Sequence, residues 1–427
     1  MLLKSSNKFL HCGIYVAILL SELMIIHQVS DLPSTLGNWT QKSSEIANFH
    51  IPSSNFYGPG AAILMIPFHY FPKYLFSANL FYFGVGVIGY WLLADESLTN
   101  KWKKIALAAL PANFYLIWLI NSSQDTVFEF SLLVWSLYYL IKKQYIAFGI
   151  VTFILCLTRS GYWTYFIITS LLVTFIYHRK LKKFKWQTLI ALPLLATISI
   201  FNYVNYQSAS PALESGITAY FSYSKYHYLA LPKMDMDVFL SGPKGAFSKD
   251  FGPRIPDGAS AAEESSIYQK AAINSALTNK KETILGWMQK FDSYFFDVQK
   301  VPHLPGSYVL DQQSSQIKIE NERLTWPIVF GNLFYLMWRT IFILLLFLSV
   351  SFLIFARFIL RIDIFEKLTL SFLGLPYLTG FFPGLLFYTE SRFKIVSEIM
   401  LVPLLIQVIQ ILVQISRDKS INENNEQ

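Results

Sequence analysis

Long apolar runs separated by short polar segments set the pattern of this chain. The runs cover 10–29, 75–94, 104–120, 127–141, 145–158, 161–178, 187–204, 331–356, 367–388 and 395–415. A helix needs roughly 20 apolar residues to cross the hydrocarbon core of a bilayer. The runs therefore predict an all-α membrane protein with about ten transmembrane helices, of which 127–141 and 145–158 are short for a span. The stretch 60–73, GAAILMIPFHYFPK, follows Gly58–Pro59 and holds Pro67 and Pro72. At that length it is expected to lie at the interface or re-enter rather than cross.

Between 205 and 328 the pattern changes to ordinary proportions of Pro, Gly, Ser and charge, which predicts one large extracytoplasmic loop. Within it, 262–297 places Ile267, Ala271, Ile284, Met288, Phe291 and Phe295 at helical spacing, as amphipathic juxtamembrane helices do. The chain then divides into an N-terminal transmembrane module over 1–204, with a first extracytoplasmic loop at 30–58. The loop over 205–328, a C-terminal transmembrane module over 329–415 and a polar cytoplasmic tail over 416–427 follow.

Charge fixes the orientation. Lys4/Lys8, Lys101/Lys103/Lys104, Lys142/Lys143, the cluster from Arg179 to Lys185, Arg357/Arg361/Lys367 and Arg417/Lys419 fall on one side when ten spans alternate. Lys and Arg gather on the cytoplasmic side, so both termini are expected in the cytoplasm of a multi-pass protein of the inner or plasma membrane. If 60–73 crossed, every later loop would flip. The first run follows Lys4 and Lys8 and has no small-residue cleavage pattern after it, so it reads as a retained span rather than a signal peptide.

Composition agrees with this reading. The 427 residues are 53% hydrophobic and only 15% charged, with a formal net charge of +8, where soluble domains carry roughly a quarter charged residues. The basic excess sits between apolar runs and forms no nucleic-acid-binding face. Cys12 and Cys156 both lie in apolar runs, which argues against a disulfide framework or a cysteine metal site. No Walker loop, dinucleotide-binding glycine pattern or Gly-x-Ser-x-Gly elbow occurs, so nothing supports a nucleotide-driven enzyme.

Charged groups near span ends are the candidates for chemistry, because a charge at membrane depth costs roughly 2.5–3.5 kcal/mol. Asp31, Asp125, Glu129, Arg159, Glu390, Arg392 and Lys394 all fall on the predicted extracytoplasmic side. Asp31 reads equally as a general base or as a cap in Ser30–Asp31–Leu32–Pro33. Asp125 and Glu129 are one helical turn apart and can face one way; Asp125 also suits a helix cap. Arg159 and Arg392 have the paired donors that suit a phosphate, and each reads alternatively as a side chain snorkelling to headgroups. Glu22 and Arg339 lie inside apolar runs with no assigned role, and Arg339 also reads as a sign that its span begins later. The histidines form no metal-ligand spacing.

Several stretches in order resemble the GT-C class of membrane glycosyltransferases, and within it the bacterial relatives of the dolichyl-phosphate-mannose protein mannosyltransferases. They are the first span followed by Asp31, the segment FYGPGAAILMIPFHYF beginning near Tyr57, SSQDTVFEFSLLVWSLYYL, ILCLTRSGYWTYFIITSLL, the amphipathic segment YQKAAINSALTNKKETILGWMQKFDSYFF, and GLLFYTESRFKIVSEIMLVPLLI. The chain departs from the pattern in carrying only Asp31 where many members have two close acidic residues, and Arg392-Phe393-Lys394 where many have Arg-Phe-Arg.

The resemblance implies transfer of a sugar from a polyprenyl-phosphate carrier to an extracytoplasmic protein, lipid or glycan acceptor, within the membrane lipid. Asp31 would deprotonate the acceptor. Arg159, Arg392 and Lys394 would hold the leaving phosphate, with Asp125, Glu129, Glu390 and Tyr57 in support. No cofactor is called for, and a divalent cation is left open. The alternatives are a lipid-linked glycan polymerase or ligase, which predicts an arginine cluster in a loop holding only Arg254 and Arg323, a non-enzymatic lipid or glycan transporter, and a silent binding subunit.

Overall fold

The computed structural model describes residues 2–30, 37–51, 59–69, 71, 74–122, 124–181, 186–211, 216, 219–220, 223, 253–295, 308–311, 316–319, 326–358, 371–386 and 391–425. These residues are overwhelmingly helical. The helices are α1 (Leu2–Ser30), α2 (Gly37–Ala47), α3 (Gly60–Met65), α4 (Tyr74–Ser97), α5 (Asn100–Ala112), α6 (Phe114–Ser122), α7 (Gln124–Ile141), α8 (Tyr145–Thr158), α9 (Tyr162–Leu181) and α10 (Ala191–Tyr206). After them come α11 (Ala261–Thr278), α12 (Lys280–Phe295), α13 (Trp326–Phe358), α14 (Leu375–Leu386) and α15 (Ser391–Asn425). A short antiparallel hairpin, β1 (Tyr308–Asp311) and β2 (Gln316–Ile319), pairs Tyr308 with Ile319 and Asp311 with Gln316.

Among the described residues, four helices are long and apolar enough to cross a membrane, over Lys8–Gln28, Leu75–Glu96, Leu333–Ser351 and Lys394–Arg417; α5 and α6 together make a fifth if their bent pair is one span. Shorter apolar helices lie at Tyr145–Thr158, Tyr162–Phe175 and Phe372–Phe381. The 60–73 stretch forms α3 and a 3-10 turn over Ile66–Phe68. At 1.5 Å per residue its six-residue helix is about 9 Å long, far short of a roughly 30 Å core.

The bend between α5 and α6 has a local cause. Pro111 lacks an N–H, so the carbonyl of Leu107 loses its helical partner. Tyr15 Oη of α1 donates to that carbonyl at 2.6 Å. Two residues on, the buried Asn113 breaks the helix, and its Oδ1 accepts from Leu116 N at 3.0 Å to start α6. The two helices meet at 46°.

Packing centres on α4, α7 and α15. Small residues let α4 and α7 approach closely. A Cβ at Gly86 would meet the Phe130 ring at 2.6 Å, and one at Gly89 would meet Val134 Cγ1 at 2.6 Å. Trp135 Nε1 donates to the Val85 carbonyl at 3.0 Å across the same contact. The span of α15 is almost wholly buried; Ile395, Val396, Ile399, Met400 and Val402 expose nothing. By contrast α1 presents Phe9, Leu10, Ile14, Ile18 and Ile25 outward, the pattern of a helix facing lipid.

Basic helix ends predicted to share one side do meet. Lys8 of α1 and Lys103 of α5 bond Asp95 of α4 at 3.2 and 2.5 Å, and Lys142 at the end of α7 pairs with Glu96. At the other end of α1, His27 Nδ1 lies 2.7 Å from Asn121 Oδ1 of α6. The 262–297 stretch is two helices, the first opened by a capping box between Ser260 and Glu263. Both cysteines are free thiols. Replacing Tyr15 with Phe leaves the Leu107 carbonyl without its hydroxyl donor and is expected to cost about 1–3 kcal/mol. Thermal unfolding of the purified Y15F variant should show a lower midpoint; an unchanged midpoint contradicts the role given to this bond.

Candidate functional site

Three helix termini bring together residues far apart in the chain. Asp125 sits in the first turn of α7, where a carboxylate is favoured by the positive end of the helix dipole. Glu129 follows one turn later on the same side. α8 ends at Thr158, and Arg159 leaves the helical conformation at φ −139° and ψ 111° while its N–H still bonds the Leu155 carbonyl at 2.8 Å. The Arg159 carbonyl then accepts from Tyr162 N at 3.1 Å, and α9 begins.

Arg159 lies between the two acids. Its Nε and Nη2 donate to Asp125 Oδ2 at 3.2 and 2.9 Å. Its Nη1 stands 2.7 Å from Glu129 Oε2. Tyr162 Oη donates to Glu129 Oε1 at 2.5 Å. The Glu129 side chain is 0% exposed, that of Arg159 9%, and that of Asp125 19%. Glu129 is thus the enclosed member, while Arg159 and Asp125 keep partial exposure.

α3 closes against this group. A Cβ on Gly60 would lie 2.5 Å from Thr158 N and 2.6 Å from Thr158 Oγ1, too close for any side chain. The Gly58–Pro59–Gly60 segment therefore delivers a glycine to the residue preceding Arg159. Of this segment, Gly58 lies outside the described residues.

A second polar group sits beside the first. Arg339, on α13, is fully buried and pairs with the fully buried Glu398 on α15. Trp338 Nε1 donates to the other Glu398 oxygen at 2.8 Å. Arg339 Nη2 also donates to the Phe295 carbonyl at 2.8 Å, and Lys394 Nζ donates to the Tyr294 carbonyl at 3.1 Å. Two cations thus engage the C-terminal carbonyls of α12, which have no partner within the helix. Tyr294 Oη in turn donates to the Tyr377 carbonyl of α14 at 2.6 Å. α14 packs against both α12 and α9, so one helix links the two groups.

Of the residues singled out in the sequence, Asp125, Glu129 and Arg159 come together. Lys394 is buried and turned to a backbone carbonyl. Asp31, Tyr57 and Glu390 lie outside the described residues, and Arg392 is in the first turn of α15 with its side chain outside them. Arg339 does not mark a late start to its span: α13 begins at Trp326, and Arg339 is well inside it. Sequence reasoning missed Tyr162, Glu398 and Trp338. A lone carboxylate in the last apolar run and a lone guanidinium in the run over 331–356 were the available signal. On α12, burial beside the Tyr223 ring pushes the Lys290 ammonium down to about 7.

Among the described residues no group of three or more His, Cys, Asp or Glu side chains is placed to hold a metal ion. No family model matches the chain, and no curated protein and no solved structure matches it.

Removing Arg159 alone would leave Glu129 charged and enclosed, which costs about 3–5 kcal/mol for a buried pair. R159Q should therefore be markedly destabilised. The double variant R159Q/E129Q should recover part of the loss, and a double-mutant cycle on thermal or denaturant unfolding measures the coupling. Additive effects would mean that the two side chains do not support each other.

Proposed function

We propose that the protein is a GT-C type glycosyltransferase that moves a sugar from a polyprenyl-phosphate carrier to a hydroxyl-bearing acceptor outside the cytoplasm. The observation that carries this reading is the Arg159 guanidinium, set at a helix end, slightly exposed and held by two carboxylates. Such a group is charged at all relevant pH and matches the geometry of a phosphate. An arriving phosphate oxygen would share Arg159 with Asp125, whose side chain is the more exposed of the two acids.

In the reaction, the acceptor oxygen attacks the anomeric carbon and the bond from that carbon to the carrier phosphate breaks. Asp31 takes the hydroxyl proton. The departing phosphate keeps the bonding electrons, and Arg159 and Arg392 stabilise its growing charge. Lys394 contributes field from its place at the end of α12. Glu390 and Tyr57 act in support, and Glu129 with Tyr162 holds Arg159 in place. No nucleotide is needed, because the lipid-linked donor brings its own leaving group.

The topology proposed with this mechanism has ten spans, with α5 and α6 forming one of them, both termini cytoplasmic and the site extracytoplasmic. Its support is the meeting of Lys8, Lys103 and Lys142 with Asp95 and Glu96 at one end of the first helices, while Asp125 and Arg159 stand at the other. A second reading, a lipid or glycan transporter, draws on the Arg339–Glu398 pair inside the bundle, since transporters keep ionisable groups at membrane depth.

The test is sugar release from a panel of radiolabelled polyprenyl-phosphate sugars, by protein in proteoliposomes supplied with envelope acceptors. Wild type should cleave at least one donor. D31N should lose about 10²–10⁴-fold and R392A about 10²–10³-fold. Activity surviving in D31N would move the base elsewhere. Intact donor crossing the bilayer without cleavage would replace this reading with the transporter.

A further inference from the structure

We infer that the outer face of α12 is a lipid-contacting surface, seated in the interfacial layer of the phospholipid leaflet that surrounds the far ends of the bundle. The inference does not depend on the proposed reaction.

α12 is too polar and too short to span, yet it shows solvent a row of large apolar side chains. Ile284, Leu285, Met288 and Phe291 are 55%, 48%, 64% and 47% exposed. Their spacing of i, i+1, i+4 and i+7 puts them on one face of a helix. The opposite face carries Thr283, Lys290 and Tyr294, all buried against the protein. The helix therefore has one side committed inward and another that is apolar and about half exposed. A contiguous apolar face of this kind marks an interaction site.

Three observations select lipid as its occupant. First, the row runs into a lipid-facing surface. Phe291 packs its ring at 5.8 Å from Phe381 of α14, and α14 presents Leu378 outward, 57% exposed, in an apolar helix. Second, Lys280 and Lys281 stand exposed at the N-terminal end of the same face. Long lysine stems can lie on apolar surface while the ammonium reaches lipid phosphate. Third, the other end of α12 is fixed by Arg339 and Lys394, which hold the Phe295 and Tyr294 carbonyls inside the bundle. A helix pinned at one end within membrane helices, with lysines at the other, lies along the interface.

The experiment places an environment-sensitive bimane on M288C and, as a control, on E282C, which is exposed on a different side of α12. Cys12 is replaced by Ala; Cys156 is buried and stays. The full-length protein is reconstituted into nanodiscs of phosphatidylethanolamine and phosphatidylglycerol. At Met288, phospholipids brominated near the glycerol end of the acyl chain should quench the dye, and aqueous iodide should quench it several-fold less than at Glu282. Equal iodide quenching at both positions overturns the inference. Shielding from iodide without quenching by brominated lipid also overturns it, because the cover is then protein, either another segment of this chain or a second molecule. Loss of sugar transfer by wild type in the donor assay would leave this result untouched, so the two proposals fail separately.

Discussion

A charge that is kept out of water must be answered by another charge or by a dense set of hydrogen bonds, and this constraint organises both polar groups in the bundle. Arg159 ends α8 with its side chain only 9% exposed. Asp125 and Glu129 meet it because they sit one helical turn apart at the start of α7. Tyr162 completes the set from the first turn of α9. The local sequence therefore dictates more than three helix ends. It ties α7, α8 and α9 to each other by a cluster whose members are each costly without the others. Gly60 brings α3 against the same point, since no side chain fits between it and Thr158.

The same constraint explains how a soluble-looking helix is held to an apolar bundle. The last carbonyls of α12 need donors, and Arg339 and Lys394 supply them from inside α13 and α15. Glu398 balances Arg339, and Trp338 satisfies the remaining carboxylate oxygen. The end of α12 is thus joined to the core through backbone acceptors as much as through side chains. Tyr294 stands at that junction and donates to the Tyr377 carbonyl of α14, a helix that also packs against α9.

Much of this was legible in the chain and some was not, for identifiable reasons. Apolar period and length locate the helices, and the short, proline-bearing 60–73 stretch is recognisably no span. The pairing of Asp125 with Glu129 follows from their spacing, and Arg159 stands out as a charge between apolar runs. Tyr162 carries no such mark, because one tyrosine among many in an aromatic-rich chain gives no signal of its hydroxyl partner. Arg339 and Glu398 are each visible as lone charges, but their contact joins residues in separate helices and depends on packing that periodicity does not encode. The sequence does not show that Lys394 donates to the Tyr294 carbonyl, because a main-chain acceptor is something every residue has and no sequence pattern flags. The bend at Asn113 was implicit in Pro111 inside an apolar run, but the rescue of Leu107 by Tyr15 was not.

The claim on which the functional account rests is that the Arg159 cluster recognises a lipid-borne phosphate. The most direct measurement is native mass spectrometry of the protein released from nanodiscs doped with equal amounts of polyprenyl phosphate and the matching polyprenol. The account predicts that wild type retains the phosphate in clear preference to the alcohol, and that a folded R159Q/E129Q variant loses the preference. Equal retention of phosphate and alcohol by wild type would contradict it, as would an undiminished preference in the variant.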